Sequence, residues 1–215
     1  MRNKFEEQLE QLSKEMIVMG NRIQEAIQAS IEAFFNQDVE AAKEIMQADT
    51  LVDKDQKNIE NICFQLLIQQ QPVARDLRTI TAAMKMVTDM ERIGDQAADI
   101  AELTIMMADS PYLLGGEHIK KMAAETMLML IHAVEAYVEK DMDKAREVIQ
   151  HDDIVDALFV QVKSDLIGVM QTNTDYAEHA ADLLMVNKYL ERIGDHATNL
   201  AEWVIFAMDD RVQKA

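Results

Sequence analysis

The sequence predicts an all-α protein of two pseudo-symmetric three-helix bundles packed side by side, six long helices in all, and three observations carry that reading. Strong helix formers such as Ala, Glu, Gln, Met, Leu and Lys are abundant, whereas the chain has six glycines, two prolines and only 5% aromatics. Apolar residues recur at alternating spacings of three and four along extended stretches. The second half of the chain repeats the first. With 215 residues, 49% of them apolar, the chain can bury a substantial core.

Phe5, Leu9, Leu12, Met16, Met19 and Ile23 form the first stripe, which predicts a helix from about residue 3 to 35. Asp38 reads as the N-cap of a second helix, whose stripe runs through Ala42, Ile45, Val52, Ile59, Ile62 and Leu66 until Pro72 stops it. A third helix follows Pro72 with Leu77, Ile80, Met84, Val87, Ala98, Ala101 and Ile105 as its stripe, and ends before Ser110 and Pro111. The cluster from Ser110 to Gly116 reads as a short connection between the halves.

Residues 91–102 (ERIGDQAADIAE) and 191–202 (ERIGDHATNLAE) match at eight of twelve positions. Upstream, residues 37–53 match residues 140–156 at seven of seventeen, with the register shifted from 100 to 103. A three-residue shortening between the second and third helices of the later repeat accounts for the shift. Helices near 117–140, 141–172 and 175–209 are therefore expected as copies of the first three, giving one repeat over residues 1–110 and another over 111–215.

A formal net charge of -18 argues against nucleic acid as a partner, because binding that polyanion needs Lys and Arg to neutralise its phosphates. The single cysteine, Cys63, cannot form an internal disulfide, and residues 1–10 carry charges where a secretory signal would be apolar, so a cytosolic protein is expected. No stretch approaches the roughly 18 apolar residues of a membrane span, so membrane association would go through a partner.

Each repeat holds two acidic pairs at i, i+4 spacing: Asp49 with Asp53 and Glu91 with Asp95, then Asp152 with Asp156 and Glu191 with Asp195. That spacing sets both carboxylates on one helix face, where like charges destabilise by roughly 0.2–0.5 kcal/mol unless something neutralises them. Recurrence at matching places in both repeats, in or beside the apolar stripe, points to hard-oxygen sites for magnesium, calcium, manganese or iron. Asp99 extends the first run, and its counterpart is Asn199, making the second site less acidic. The competing reading pairs these acids with Arg92, Arg192, Lys85 or Lys188.

His151 and His196 neighbour Asp152 and Asp195, but adjacent helical residues point about 100° apart, so exposed or supporting histidines are expected. No Glu precedes a His by three positions, which disfavours ferritin-like di-iron chemistry. Gly94 and Gly194 lie in mid-helix at a cost of about 1 kcal/mol each relative to Ala. Close approach of another helix is the plainer reason, and room for a metal cluster the sharper one. Arg75, Asp76, Leu77 and Arg78 open the third helix where the second repeat has Tyr176 to His179, so the arginines serve either an external anion or partner, or local ion pairs.

VARDLR ahead of MERIGD, a second LERIGDHATN and the Asp-x-x-x-Asp pairs resemble the PhoU family over essentially the whole chain. The resemblance implies paired three-helix bundles and iron or zinc clusters held by Asp49, Asp53, Glu91, Asp95, Asp152, Asp156, Glu191 and Asp195. It further implies a cytoplasmic, commonly dimeric protein, peripheral to the membrane, that restrains phosphate import and the phosphate-starvation response between the phosphate ABC transporter and a sensor histidine kinase. The sequence has no catalytic triad, nucleotide-binding Gly loop or cysteine site, so no enzymatic activity is expected. Two other readings remain open at this level: a carboxylate-bridged metalloenzyme or metal store, and a plain helical scaffold with solvated acids.

Overall fold

Residues 2–70, 72–108 and 116–209 are described by the computed structural model. They form α1 (Arg2–Asn36), α2 (Val39–Gln70), α3 (Ala74–Met106), α4 (Glu117–Glu139), α5 (Met142–Thr172) and α6 (Ala177–Met208), with no strand among the described residues. The connection expected at Ser110–Gly116 lies outside the described residues except for Gly116.

One residue closes each repeat's first helix and opens its second. Gln37 and Lys140 take left-handed backbone conformations, with φ of 52° and 59°. The next N–H then donates five residues back, Asp38 to the Ala33 carbonyl and Asp141 to the Ala136 carbonyl, each at 2.9 Å. The same aspartates cap the following helices: Asp38 Oδ1 accepts from the Ala41 amide at 3.0 Å, and Asp141 Oδ1 from the Asp143 and Lys144 amides at 2.9 and 3.0 Å.

Where the second repeat is shorter, Asn173 caps a 3₁₀ turn at Thr174–Tyr176, its side chain accepting from the Asp175 amide at 3.1 Å. The last helix therefore starts at Ala177 rather than at 175, because residues 174–176 form this 3₁₀ turn before α-helical geometry begins.

Helices α1, α3, α6 and α4 each pack on the next and close a central four-helix core, with α3 on α6 as the most extensive seam. Helix α2 lies over α1 and α3, and α5 over α4 and α6. The apolar interior is continuous between the repeats: Met16, Met19, Ile23, Met86, Met90, Ile93, Leu130, Leu190 and Ile193 are all fully buried. Each such side chain contributes about 1.5–3 kcal/mol through its removal from water.

The expected stripes hold for α1, where Leu12, Met16, Met19 and Ile23 are buried with Phe5 and Leu9 packed against them. On α3 the stripe needs correction. Leu77 is 46% exposed, and the face that is buried runs through Ile80, Ala83, Val87, Met90, Ile93, Ala97 and Ile100. Helix α3 touches α1, α2 and α6 at once, so its buried surface is wider than a single stripe and is centred on another line of residues.

Candidate functional site

Helix α2 passes α3 at Gly94 so closely that a Cβ there would stand 3.0 Å from Val52 Cγ1 and 3.5 Å from Asp49 Oδ1. At Gly194 the corresponding distances are 3.1 Å to Val155 Cγ1 and 3.3 Å to Asp152 Oδ1. The two mid-helix glycines thus have one explanation: each admits a valine, and the same approach lays the carboxylate one turn earlier over the neighbouring helix. Close packing and the seating of an acid are a single structural fact here.

The approach assembles Asp49 and Asp53 of α2 with Glu91, Asp95 and Asp99 of α3 into one electrostatic unit. Burial, followed by the charges of Asp95, Asp53 and Asp99, pushes the Asp49 carboxyl up from its ordinary 3.8 to about 6. Glu91 is also raised, by burial, Asp95 and Asp53, with Arg92 opposing. Asp95 follows for the same reasons, burial first and then Asp53, again against Arg92. Burial, Asp95 and Glu102 raise Asp99, and Arg192 of the other repeat opposes them.

The second cluster has the same frame and a different balance. Burial, Asp156 and Asp195 raise Asp152, while the Thr198 hydroxyl works the other way. Burial and Glu191 raise Asp195, with Lys188 opposing, and Lys188 forms an ion pair with Glu191. Of the basic partners weighed from sequence, Lys188 thus joins an acid directly, Arg92 and Arg192 act on acids electrostatically, and Lys85 sits 6.0 Å from the Trp203 ring centroid.

Asn199 does not complete the second cluster. Its amide donates across the α3–α6 seam to Asp89 Oδ1 at 3.4 Å, and His196 Nδ1 meets the same oxygen at 2.9 Å. His151 Nε2 lies 2.7 Å from Glu125 Oε2, tying α5 to α4. Both histidines are taken up by carboxylates on other helices and are partly buried rather than exposed. Asp89 was not legible as a functional residue, since its partners come from the other repeat.

Asp49, Asp53, Glu91 and Asp95 supply only oxygen donors, and partly buried like charges are a state that a bound cation relieves, so the donor chemistry fits a hard or borderline metal ion. As placed, no three His, Cys, Asp or Glu side chains among the described residues stand close enough together to hold one.

Residues 16–104 and 119–204 each match the family model of the PhoU domain. The chain belongs to the PhoU family. Both matched segments contain the helices that bear the carboxylates, one cluster in each PhoU repeat. The phosphate-specific transport system accessory protein PhoU homolog of Clostridium acetobutylicum is 38% identical over 203 residues, 94% of this chain and 93% of its own length. The homolog of Aquifex aeolicus bearing the same name is 34% identical over 189 residues, 88% of this chain and 86% of that one.

Among solved structures, PhoU from Pseudomonas aeruginosa superposes with a TM-score of 0.87 at 29% identity, covering 94% of this chain and 98% of that one. The phosphate transport system regulatory protein PhoU from Streptococcus pneumoniae gives 0.86 at 25% identity, covering 94% and 96%. The six-helix arrangement is therefore the one found in solved PhoU proteins.

Proposed function

We propose that this protein restrains phosphate uptake and phosphate-starvation signalling from the cytoplasm by binding the ATPase of a phosphate ABC transporter and a sensor histidine kinase. The observation that supports this most is the extent of the likeness: it spans both repeats and nearly the full length of relatives named as accessory proteins of phosphate-specific transport. No helix among the described residues is long and apolar enough to cross a membrane, which agrees with attachment through partners.

Control in this reading comes from differential affinity. A protein that binds one state of a transporter or kinase tenfold better than the other shifts that equilibrium by about 1.4 kcal/mol, without a catalytic step. A homodimer would present its partner-binding surfaces twice. The acids Asp49, Asp53, Glu91 and Asp95, with Asp152, Asp156, Glu191 and Asp195, would hold the metal: iron or zinc by family likeness, or magnesium, manganese or calcium by oxygen chemistry. Bound metal would supply positive charge where the acids repel, stiffening α2 against α3 and α5 against α6.

Deleting the gene and measuring phosphate uptake and a phosphate-starvation reporter in phosphate-replete cells tests the reading. Both are expected to rise and to return to normal when the wild-type gene is restored; unchanged uptake and reporter would contradict it.

A further inference from the structure

A groove of about 340 Å³ runs between α1 and α2, floored in part by Gly94 and Ala98 of α3. Alanines line much of it: Ala26, Ala29, Ala41, Ala48 and Ala98. Helix α4 follows α1 in the 103-residue register of the repeat, as IEAFF at 31–35 and VEAYV at 134–138 make plain. In that register Ala26, Ala29 and Ala48 stand where the second repeat has Met129, His132 and His151. There Met129 is 1% exposed and His151 is bound to Glu125 at 2.7 Å, so larger side chains occupy the equivalent positions.

The groove is elongated. Ala41, Ile45, Ala48 and Val52 line it along α2, a run of about 16 Å at 1.5 Å per residue, long enough for apolar anchors spaced i, i+4 and i+7 on a docked helix. Its rim is acidic. Exposed Glu25 and Glu44 stand on the two flanking helices, while Arg22, the basic residue of the lining, is engaged by Asp55 at 2.6 Å.

We infer that this groove is the docking surface of the first repeat for an amphipathic helix of a partner protein, whose apolar anchors enter between α1 and α2 and whose Lys or Arg residues meet Glu25 and Glu44. The inference rests on the proposed function for the identity of the partners, the transporter ATPase and the sensor kinase. The alanine-to-larger differences make the two repeats unequal, so one face of the molecule recognises a helix and the pseudo-equivalent face does not. The acidic rim steers a basic helix and rejects an acidic one.

The test measures binding of the full-length chain to the purified ATPase and to the detergent-solubilised kinase at two salt concentrations, for wild type, Ala26→Met with Ala29→His, and Glu25→Lys with Glu44→Lys. Circular dichroism and thermal melting confirm folding, and light scattering gives the oligomeric state. Filling the groove is expected to weaken one partner by about tenfold or more, and reversing the rim to weaken the same partner and abolish the salt dependence. If the filled variant does not fold, the exposed rim variant decides. Wild-type binding that neither variant changes would overturn the groove and leave the proposed function standing; wild type binding neither partner would overturn both. Loss of self-association with partner affinity intact would identify a second copy as the occupant and also overturn the inference.

Discussion

The two carboxylate clusters share a backbone frame and differ in charge. In the first repeat, burial and mutual repulsion act on Asp49, Glu91, Asp95 and Asp99, against Arg92 and Arg192. In the second, Lys188, His196 and the Thr198 hydroxyl oppose the rise at Asp195 and Asp152, and Asn199 has turned to the seam. The glycine-on-valine crossing is nearly identical in both, at 3.0 and 3.1 Å. Duplication has thus kept the steric device that seats the acids while the balance of charge around them has diverged, leaving the first cluster the greater call for a counter-cation.

The core beneath the clusters offers the largest test of that shared frame. Met90 and Leu190 occupy equivalent, fully buried positions on α3 and α6. Met90→Ala and Leu190→Ala should each lower unfolding free energy by about 2–5 kcal/mol in urea titrations. A large loss at one position and none at the other would mean that the repeats are not packed equivalently.

The helix crossing comes next. Gly94→Leu and Gly194→Leu must push Val52 or Val155 aside, so each should cost about 1–3 kcal/mol in spite of the better helix propensity of Leu. Gly→Leu substitutions that stabilise the protein would show that α2 and α5 are free to move off.

A smaller effect of opposite sign is expected from charge. The folded-state value of Asp49, about 6, lies above its ordinary 3.8, so the folded chain binds this proton more tightly and stability falls as pH rises from about 4 to about 6. In chelator-treated protein Asp49→Asn should flatten that fall and gain about 1 kcal/mol at pH 7, after allowance for solvent screening at a partly buried group. Denaturation at pH 4, 5, 6 and 7 measures it, and parallel curves for wild type and variant would refute it.

The smallest change is Lys188→Met. Lys188 is half-exposed, so its removal should cost less than about 1 kcal/mol. Its readout is Asp195, whose carboxyl should titrate higher by NMR once that opposing charge is gone.

Much of this was legible in the sequence. Repeated ERIGD segments, the i, i+4 acids and Asp38 as a cap all follow from local spacing, and local spacing on a helix fixes which side chains share a face. Gly94 was legible as a cost but not as a seat for Val52, because the contact joins residues on different helices. The face of α3 was misread at Leu77 for a related reason: a helix at the centre of the molecule buries more than one stripe, and which one dominates is set by neighbours. The fate of His196 and Asn199 depended on Asp89 in the other repeat, and no spacing rule connects them.

The central claim is tested most directly by co-precipitating the tagged protein from phosphate-replete cells, wild type beside a variant with Glu91→Gln, Asp95→Asn, Glu191→Gln and Asp195→Asn, and measuring metal in both eluates. The account predicts that transporter ATPase or sensor kinase accompanies the wild type, and that metal present in its eluate is lost from the variant. Eluates with equal metal and neither partner would contradict it.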